Sequence, residues 1–277
     1  MSGLIVFTDL DGTLLDASTY SFEQALPALE LLKQRDIPLI ICSSKTRKEI
    51  EYYREKLHNL HPFVSENGGG IFIPRGYFGF QISDFEFQIL QTREYDLIPL
   101  GSPYKDLRAA LAGLRRKGFA VKGFGDMTVR EVAGVSNMSC EEASMAQERD
   151  FDEPFIFKGS EQETEHLLKA IRAEGFHYTQ GRFYHILGDS DKGKAVSVLI
   201  ELYKKHAGEI LSVAVGDSPN DIPMLEKADI PVIVQKSDGN YDSRINVPKL
   251  IKAHGIGPAG WNEAISRLLS ANRLSAQ

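Results

Sequence analysis

Cysteine is scarce in this sequence: Cys42 and Cys140 stand alone among 277 residues. Two such distant residues make no disulfide framework. Cys42, inside the apolar run Leu39-Ile40-Ile41-Cys42, reads as a buried free thiol. Long apolar runs are missing too, and none reaches the ~18–20 residues of a membrane span. The opening residues, Met1-Ser2-Gly3-Leu4-Ile5, lack the basic region of a targeting signal. No extended basic run is present and the formal net charge is −6, which argues against a nucleic-acid surface. There is no internal repeat and no low-complexity segment. These absences predict a cytoplasmic, reducing setting with neither nucleic acid nor membrane as partner. What is present is ordinary globular composition, 42% hydrophobic and 25% charged, enough for a core without a structural metal. The length predicts about two domains. An anionic ligand would need a local basic pocket, because the overall field is mildly repulsive.

The most informative stretch is Ile5-Val6-Phe7-Thr8-Asp9-Leu10-Asp11-Gly12-Thr13. Its apolar part is short and β-branched, which predicts a strand. Two carboxylates just past a buried strand are costly unless a cation or a reaction needs them. Gly12 permits a sharp turn. Open α/β sheets bind their ligands at such carboxyl ends. Taken alone, the pattern also fits a surface turn.

Helical spacing of Phe22, Leu26, Leu29 and Leu32 predicts a helix over 22–35, followed by a strand at 39–42 and an amphipathic helix over 46–57. Phe63-Val64 and Ile71–Ile73 flank Ser65-Glu66-Asn67-Gly68-Gly69-Gly70. Alternating strands and helices imply a parallel sheet. From about residue 85 the character changes: helices at 103–117, 127–135, 140–149 and 161–174 mix with strands at 119–121, 155–157 and 183–187. This predicts an inserted α+β domain over 85–188, with hinges near 82–86 and 186–191. The first pattern resumes with a helix at 195–205, strands at 211–215 and 230–234, and a final helix at 261–269. The core would then comprise 1–84 and 189–277.

Polar groups close four of these segments: Asp9-Leu10-Asp11, Ser43-Ser44-Lys45, Lys192 opening a helix, and Gly216-Asp217-Ser218-Pro219-Asn220-Asp221. Individually, Ser43-Ser44 could cap a helix, Lys192 could be solvated, and Asp217-Ser218-Pro219 could be a helix start. In this order they resemble the motifs of the haloacid dehalogenase superfamily of aspartyl-phosphate phosphatases. The resemblance implies an α/β fold, a Rossmann-like parallel-sheet core with a cap. It implies Asp9 as nucleophile, Asp11 as general acid/base, and Ser43 and Lys192 on the phosphoryl group. It also implies a Mg²⁺ site made by Asp9, Asp217 and the Asp11 carbonyl, with Asp221 and Asn220 behind it. These roles agree with the hard oxygen donors that Mg²⁺ prefers and with the positioning that phosphoryl transfer requires.

A narrower resemblance, to mannosyl-3-phosphoglycerate phosphatases, runs through the whole chain. It is carried by Ser43-Ser44-Lys45-Thr46, Ser65-Glu66-Asn67-Gly68-Gly69, Asp126-Met127-Thr128, Glu131-Val132, Arg149–Pro154, Asp189–Ala195 and Gly257–Ala264. Asp150 and Asp152 depart from that family's usual residues. The implied substrate is a small phosphorylated sugar acid. Ser44 and Asn67 join the binding candidates. Lys45, Arg149 or Arg182 would meet its carboxylate, and Asp126, Thr128, Glu131 and Glu153 its sugar hydroxyls. Glucosyl-3-phosphoglycerate or other sugar phosphates are alternative substrates. A phosphomutase and a non-catalytic phosphosugar-binding protein are the alternatives of other classes.

Overall fold

A computed structural model describes residues 3–80, 82 and 87–271. In chain order the strands are β1 (Gly3–Thr8), β2 (Leu39–Cys42), β3 (Phe63–Ser65), β4 (Gly70–Pro74), β5 (Leu90–Gln91), β6 (Tyr95–Pro99), β7 (Val121–Gly123), β8 (Asp152–Phe157), β9 (His177–Gln180), β10 (Tyr184–Leu187), β11 (Ile210–Gly216), β12 (Ile230–Gln235) and β13 (Ile251–Ile256). The helices are α1 (Leu26–Gln34), α2 (Arg47–Lys56), α3 (Tyr104–Arg116), α4 (Val129–Ser136), α5 (Cys140–Ala146), α6 (Glu161–Ala173), α7 (Lys192–Ala207), α8 (Ile222–Lys227) and α9 (Pro258–Ala271).

One sheet runs β13-β12-β11-β1-β2-β3-β4-β6-β5 among the described residues. Its strands from β13 to β3 are parallel. The remaining three pair antiparallel, so the sheet is mixed rather than wholly parallel. β1 is apolar without alternation because both its faces are covered. Val6 packs with α1, α2 and α9, whereas Ile5 and Phe7 pack with α7 and α8. Cys42 is buried on the second face and both cysteines are free.

β5 and β6 lie inside the stretch expected to be cap, yet they extend the core sheet. The core therefore continues through Pro99, and the insert begins after it. A short antiparallel return looks like cap in sequence because it lacks the alternation of strand and helix. The chain crosses to the cap at Leu100–Pro103; the hinge expected near 82–86 lies mostly outside the described residues. The return crossing passes close beside it: a Cβ on Gly188 would meet Ser102 Oγ at 2.4 Å. This explains the glycine by close approach.

The cap is an antiparallel sheet, β7-β8-β10-β9, with α3 and α6 packed on one face through Leu107, Leu111, Leu114, Leu167 and Ile171. Opposed residues of paired strands share a face. Ile186 opposes Glu153, and both lie on the helix-covered side; His185 opposes Pro154 and Thr179 on the other. That second face looks toward the ends of the core strands.

Candidate active site

Asp9 follows directly on β1. Its N–H donates to Val215 O at 3.0 Å, which ties the strand end to β11. Buried Leu10 anchors the turn between the two aspartates. Thr13 N–H and Leu15 N–H both donate to Leu10 O. Gly12 sits at φ +77°, and a Cβ there would stand 3.0 Å from Asp217 Oδ2. The glycine thus permits both the turn and the approach of the fourth motif to the first.

Lys192 is the first residue of α7, which Asp191 caps by accepting from Lys194 N–H at 2.8 Å. Its Nζ donates to Asp9 Oδ1 and to Asp221 Oδ1, each at 2.6 Å. Burial pushes this ammonium down, but the two carboxylates outweigh it and hold the lysine charged. Asp217 follows β11. Asp221 Oδ2 accepts from Asp217 N–H at 3.0 Å and Ser218 N–H at 3.1 Å. Both Asp221 oxygens are thus engaged, and Asp221 stands behind Asp9 and Asp217. Asn220 lies to one side, donating to Asn67 Oδ1 at 3.1 Å.

Acid groups outnumber the cations here. Oxygens of Asp9, Asp217 and Asp221 lie within 4.8 Å of one another. Burial, opposed by Lys192 and reinforced by Asp221, Asp217 and Asp11, pushes Asp9 well above the usual carboxylate range. Burial and Asp221 push Asp217 up to about 6. A surplus of buried oxygen donors fits a hard divalent cation, with Asp9 and Asp217 as the groups free to hold it.

Ser43 closes β2, buried, with its Oγ accepting from Lys45 N–H at 3.2 Å. Lys45 Nζ lies 3.1 Å from Asp11 Oδ2 and 3.5 Å from Glu49 Oε1. Its charge is therefore balanced within the protein, and it orients Asp11. Among the described residues, buried Asp11 Oδ1 has no hydrogen-bond partner.

A cleft of about 670 Å³ opens between these loops and the cap. Asp9, Asp11, Ser44, Lys45, Asn67, Arg149 and Arg182 line it. Asp126, Thr128, Glu131 and Glu153 do not, and each has a structural task instead. Glu153 lies on the helix-covered face, where it accepts from Arg108 Nη1 at 2.6 Å, Tyr104 Oη at 2.7 Å and Gly125 N–H at 3.0 Å. Asp126 pairs with Arg108 and Arg115. Thr128 and Glu131 form the capping box of α4. Arg182 reaches the cleft but donates to Ser136 O and Val135 O, the last carbonyls of α4.

A family model for haloacid dehalogenase-like hydrolases matches residues 6–81 and 142–244. The chain belongs to this family. It is 46% identical over 97% of its length to the glucosyl-3-phosphoglycerate/mannosyl-3-phosphoglycerate phosphatase of Methanococcoides burtonii, covering 98% of that protein. It is 40% identical over 90% of its length to the mannosyl-3-phosphoglycerate phosphatase of Pyrococcus horikoshii, covering 99% of it. A crystal structure of a Thermoplasma acidophilum protein superposes with TM-score 0.68 at 16% identity, covering 99% of this chain and all of that one. A Bacteroides thetaiotaomicron phosphatase of the same superfamily gives 0.66 at 18%, covering 97% and 95%. The family's fold is thus shared at low identity.

Sequence reasoning missed several groups at this family site. Glu66 is fully buried, at φ +49°, and its carboxylate accepts from the N–H groups of Asp150 and Phe151 at 2.9–3.2 Å. Lys236 and Arg244, both joined to Asp242 at 2.7 Å, add cations to the cleft. His185 faces the cleft from β10. Only His185 left a signal: in Tyr184-His185-Ile186, strand alternation puts the histidine opposite two core residues.

Proposed function

We propose that this protein is a Mg²⁺-dependent phosphatase that hydrolyses mannosyl- and glucosyl-3-phosphoglycerate to the glycosylglycerate and phosphate. The observation that carries the reading is the convergence of Asp9, Asp11, Lys192 and Asp217 at one sheet edge, in a chain that is 46% identical over 97% of its length to a phosphatase named for both substrates.

Asp9 acts as nucleophile. Lys192 holds its Oδ1, so the other oxygen attacks phosphorus while the ester P–O bond breaks. Asp11, held by Lys45, protonates the departing glycerate oxygen. It then takes a proton from the water that attacks the aspartyl phosphate and restores Asp9. Ser43 and Lys192 position the phosphoryl group. Asp9, Asp217 and the Asp11 carbonyl would hold the Mg²⁺, which neutralises charge on the phosphoryl oxygens when bound. The cap, entered after Pro99, excludes water and reads the glycosylglycerate. We place the enzyme in the cytoplasm, where free thiols such as Cys42 and Cys140 persist.

The test is phosphate release from mannosyl- and glucosyl-3-phosphoglycerate beside simple sugar phosphates, with Mg²⁺ and with chelator. Both glycosyl-phosphoglycerates are expected to have the highest kcat/KM, and chelation to stop release. Faster turnover of simple sugar phosphates would overturn the substrate, and metal-independent release the mechanism.

A further inference from the structure

Asp152 is the first residue of β8 and its side chain is wholly buried. Three donors converge on it. His185 Nδ1 lies 2.8 Å from Oδ1 and 3.0 Å from Oδ2. Asn67 Nδ2 donates to Oδ2 at 3.1 Å. Arg149 Nη1 stands 3.7 Å from Oδ1. Each of these donors also lines the cleft. Asp152 shares the cleft face of the cap sheet with His185 by strand alternation, since Asp152 and Pro154 are two apart and Pro154 opposes His185.

We propose that Asp152 is a positioning residue that presents Arg149 and His185 as a receptor for the carboxylate of the substrate. The inference rests on the phosphoglycerate reading above. In a 3-phosphoglycerate unit only two carbons separate the carboxylate from the phosphate ester oxygen. Its receptor must therefore lie beside the phosphate-binding loop. Arg149 does: its Nη1 donates to Ser44 O at 3.2 Å, one residue from Ser43. Asn67, through Asn220, ties the same cluster to the acidic loop. His185 Nε2 has no protein partner among the described residues. With Nδ1 facing Asp152, Nε2 is the ring atom left to face the cleft, and it donates to a carboxylate when both ring nitrogens carry a proton.

Other cations are less suited to this task. Lys45 is held by Asp11 and Glu49, and Arg182 spends both terminal nitrogens on carbonyls of α4, whereas Arg149 spends Nε on Ala146 O and Nη1 on Ser44 O and keeps Nη2 without a protein partner among the described residues. Burial would push Asp152 up, but His185, Arg149 and Asn67 hold it below the usual carboxylate range. Asp152 thus stays charged and keeps the imidazole in one orientation. This is the second support that oriented ligand-binding imidazoles generally need.

Two competitive inhibitors that differ at the carboxylate test the receptor: 3-phosphoglycerate and glycerol 3-phosphate. The wild-type enzyme is expected to bind the first more tightly. In His185→Gln and in Asp152→Asn that preference should shrink on the order of tenfold, as for loss of a charge-assisted hydrogen bond. The double variant should lose less preference than the two single losses combined, because Asp152 acts in part through the histidine. An unchanged preference in His185→Gln overturns the proposal. So does an equal weakening of both inhibitors in both variants, which would mark a purely structural cluster. Turnover of glycosyl-3-phosphoglycerates by the wild type is measured in parallel. Failure there strikes the substrate reading, whereas a wild-type preference that survives both substitutions strikes only the receptor.

Discussion

Asp9 carries two opposed demands. The proposed reaction needs it ionised, whereas burial and three neighbouring carboxylates favour its protonated form. Ionised Asp9 therefore costs stability at neutral pH in the absence of metal. Asp9→Asn keeps the shape, and Lys192 keeps Asp221 as its partner. Phosphate release should fall on the order of a thousandfold or more, while thermal unfolding in chelator should shift to higher temperature. A variant that turned over near the wild-type rate would contradict a nucleophilic Asp9. Glu66 offers a second case. Burial pushes it up to about 8, against about 4.3 in an unfolded chain. Between these values the folded state binds more protons than the unfolded one, so this group's contribution to stability is full at the acid end and is lost as pH rises toward 8. Urea unfolding across pH 5–8 should show a shallower decline for Glu66→Gln than for the wild type. Parallel profiles would show that Glu66 is not the titrating group.

At the scale of elements, helix caps explain where polar sequence patterns were misread as binding. Thr128 and Glu131 read as sugar contacts because acceptors cluster there. They instead satisfy N–H groups at the start of α4 that otherwise lack partners. Thr128→Ala should cost about 1 kcal/mol of stability and leave KM for the glycosyl-phosphoglycerates within about twofold of wild type. Denaturant unfolding and initial rates check the two halves separately. A large KM increase with unchanged stability would restore the sugar-contact reading. The glycine-rich link from β3 to β4 shows the opposite economy, with backbone replacing side chain. A Cβ on Gly68 would come 2.1 Å from Asp191 O, and one on Gly69 2.3 Å from Phe151 Cβ. This link therefore presses against both the start of α7, which carries Lys192, and the segment from α5 into β8, which carries Arg149 and Asp152.

For the whole molecule, the carboxylate surplus links metal to stability. A cation held by Asp9 and Asp217 would remove the repulsion that raises both, and binding to the folded state alone stabilises by mass action. Unfolding temperature should rise with Mg²⁺ concentration in the wild type, and much less in Asp217→Asn. Equal shifts in both proteins would place the cation elsewhere. The cap contributes differently. Its sheet turns one face to α3 and α6 and the other partly to the cleft and partly, through Ile156, to the cluster around Val132, so alternate residues along β8 and β10 meet different surroundings.

The division between sequence and tertiary structure follows from how local each signal is. Strand, turn and helix start are short-range events. Asp9-x-Asp11-Gly12, Lys192 at the head of α7 and Asp217 after β11 could therefore be read directly, with the parallel part of the sheet. β5, β6, β9 and β13 were not read: β5, β9 and β13 stand at the edges of the described sheets, and β6 belongs to an antiparallel return without the strand–helix alternation. Which face of the cap a residue occupies depends on strand register. Register separates Glu153, turned to the helices, from Asp152 and His185, turned to the cleft, and adjacent positions in one strand cannot announce it. Asp9 and Asp11 stand out in the chain as paired carboxylates after an apolar run, and the roles proposed for them come from the resemblance that the four motifs carry in order. Three donors meet at Asp152 only when strands from distant segments pair, and that convergence is a property of the folded molecule.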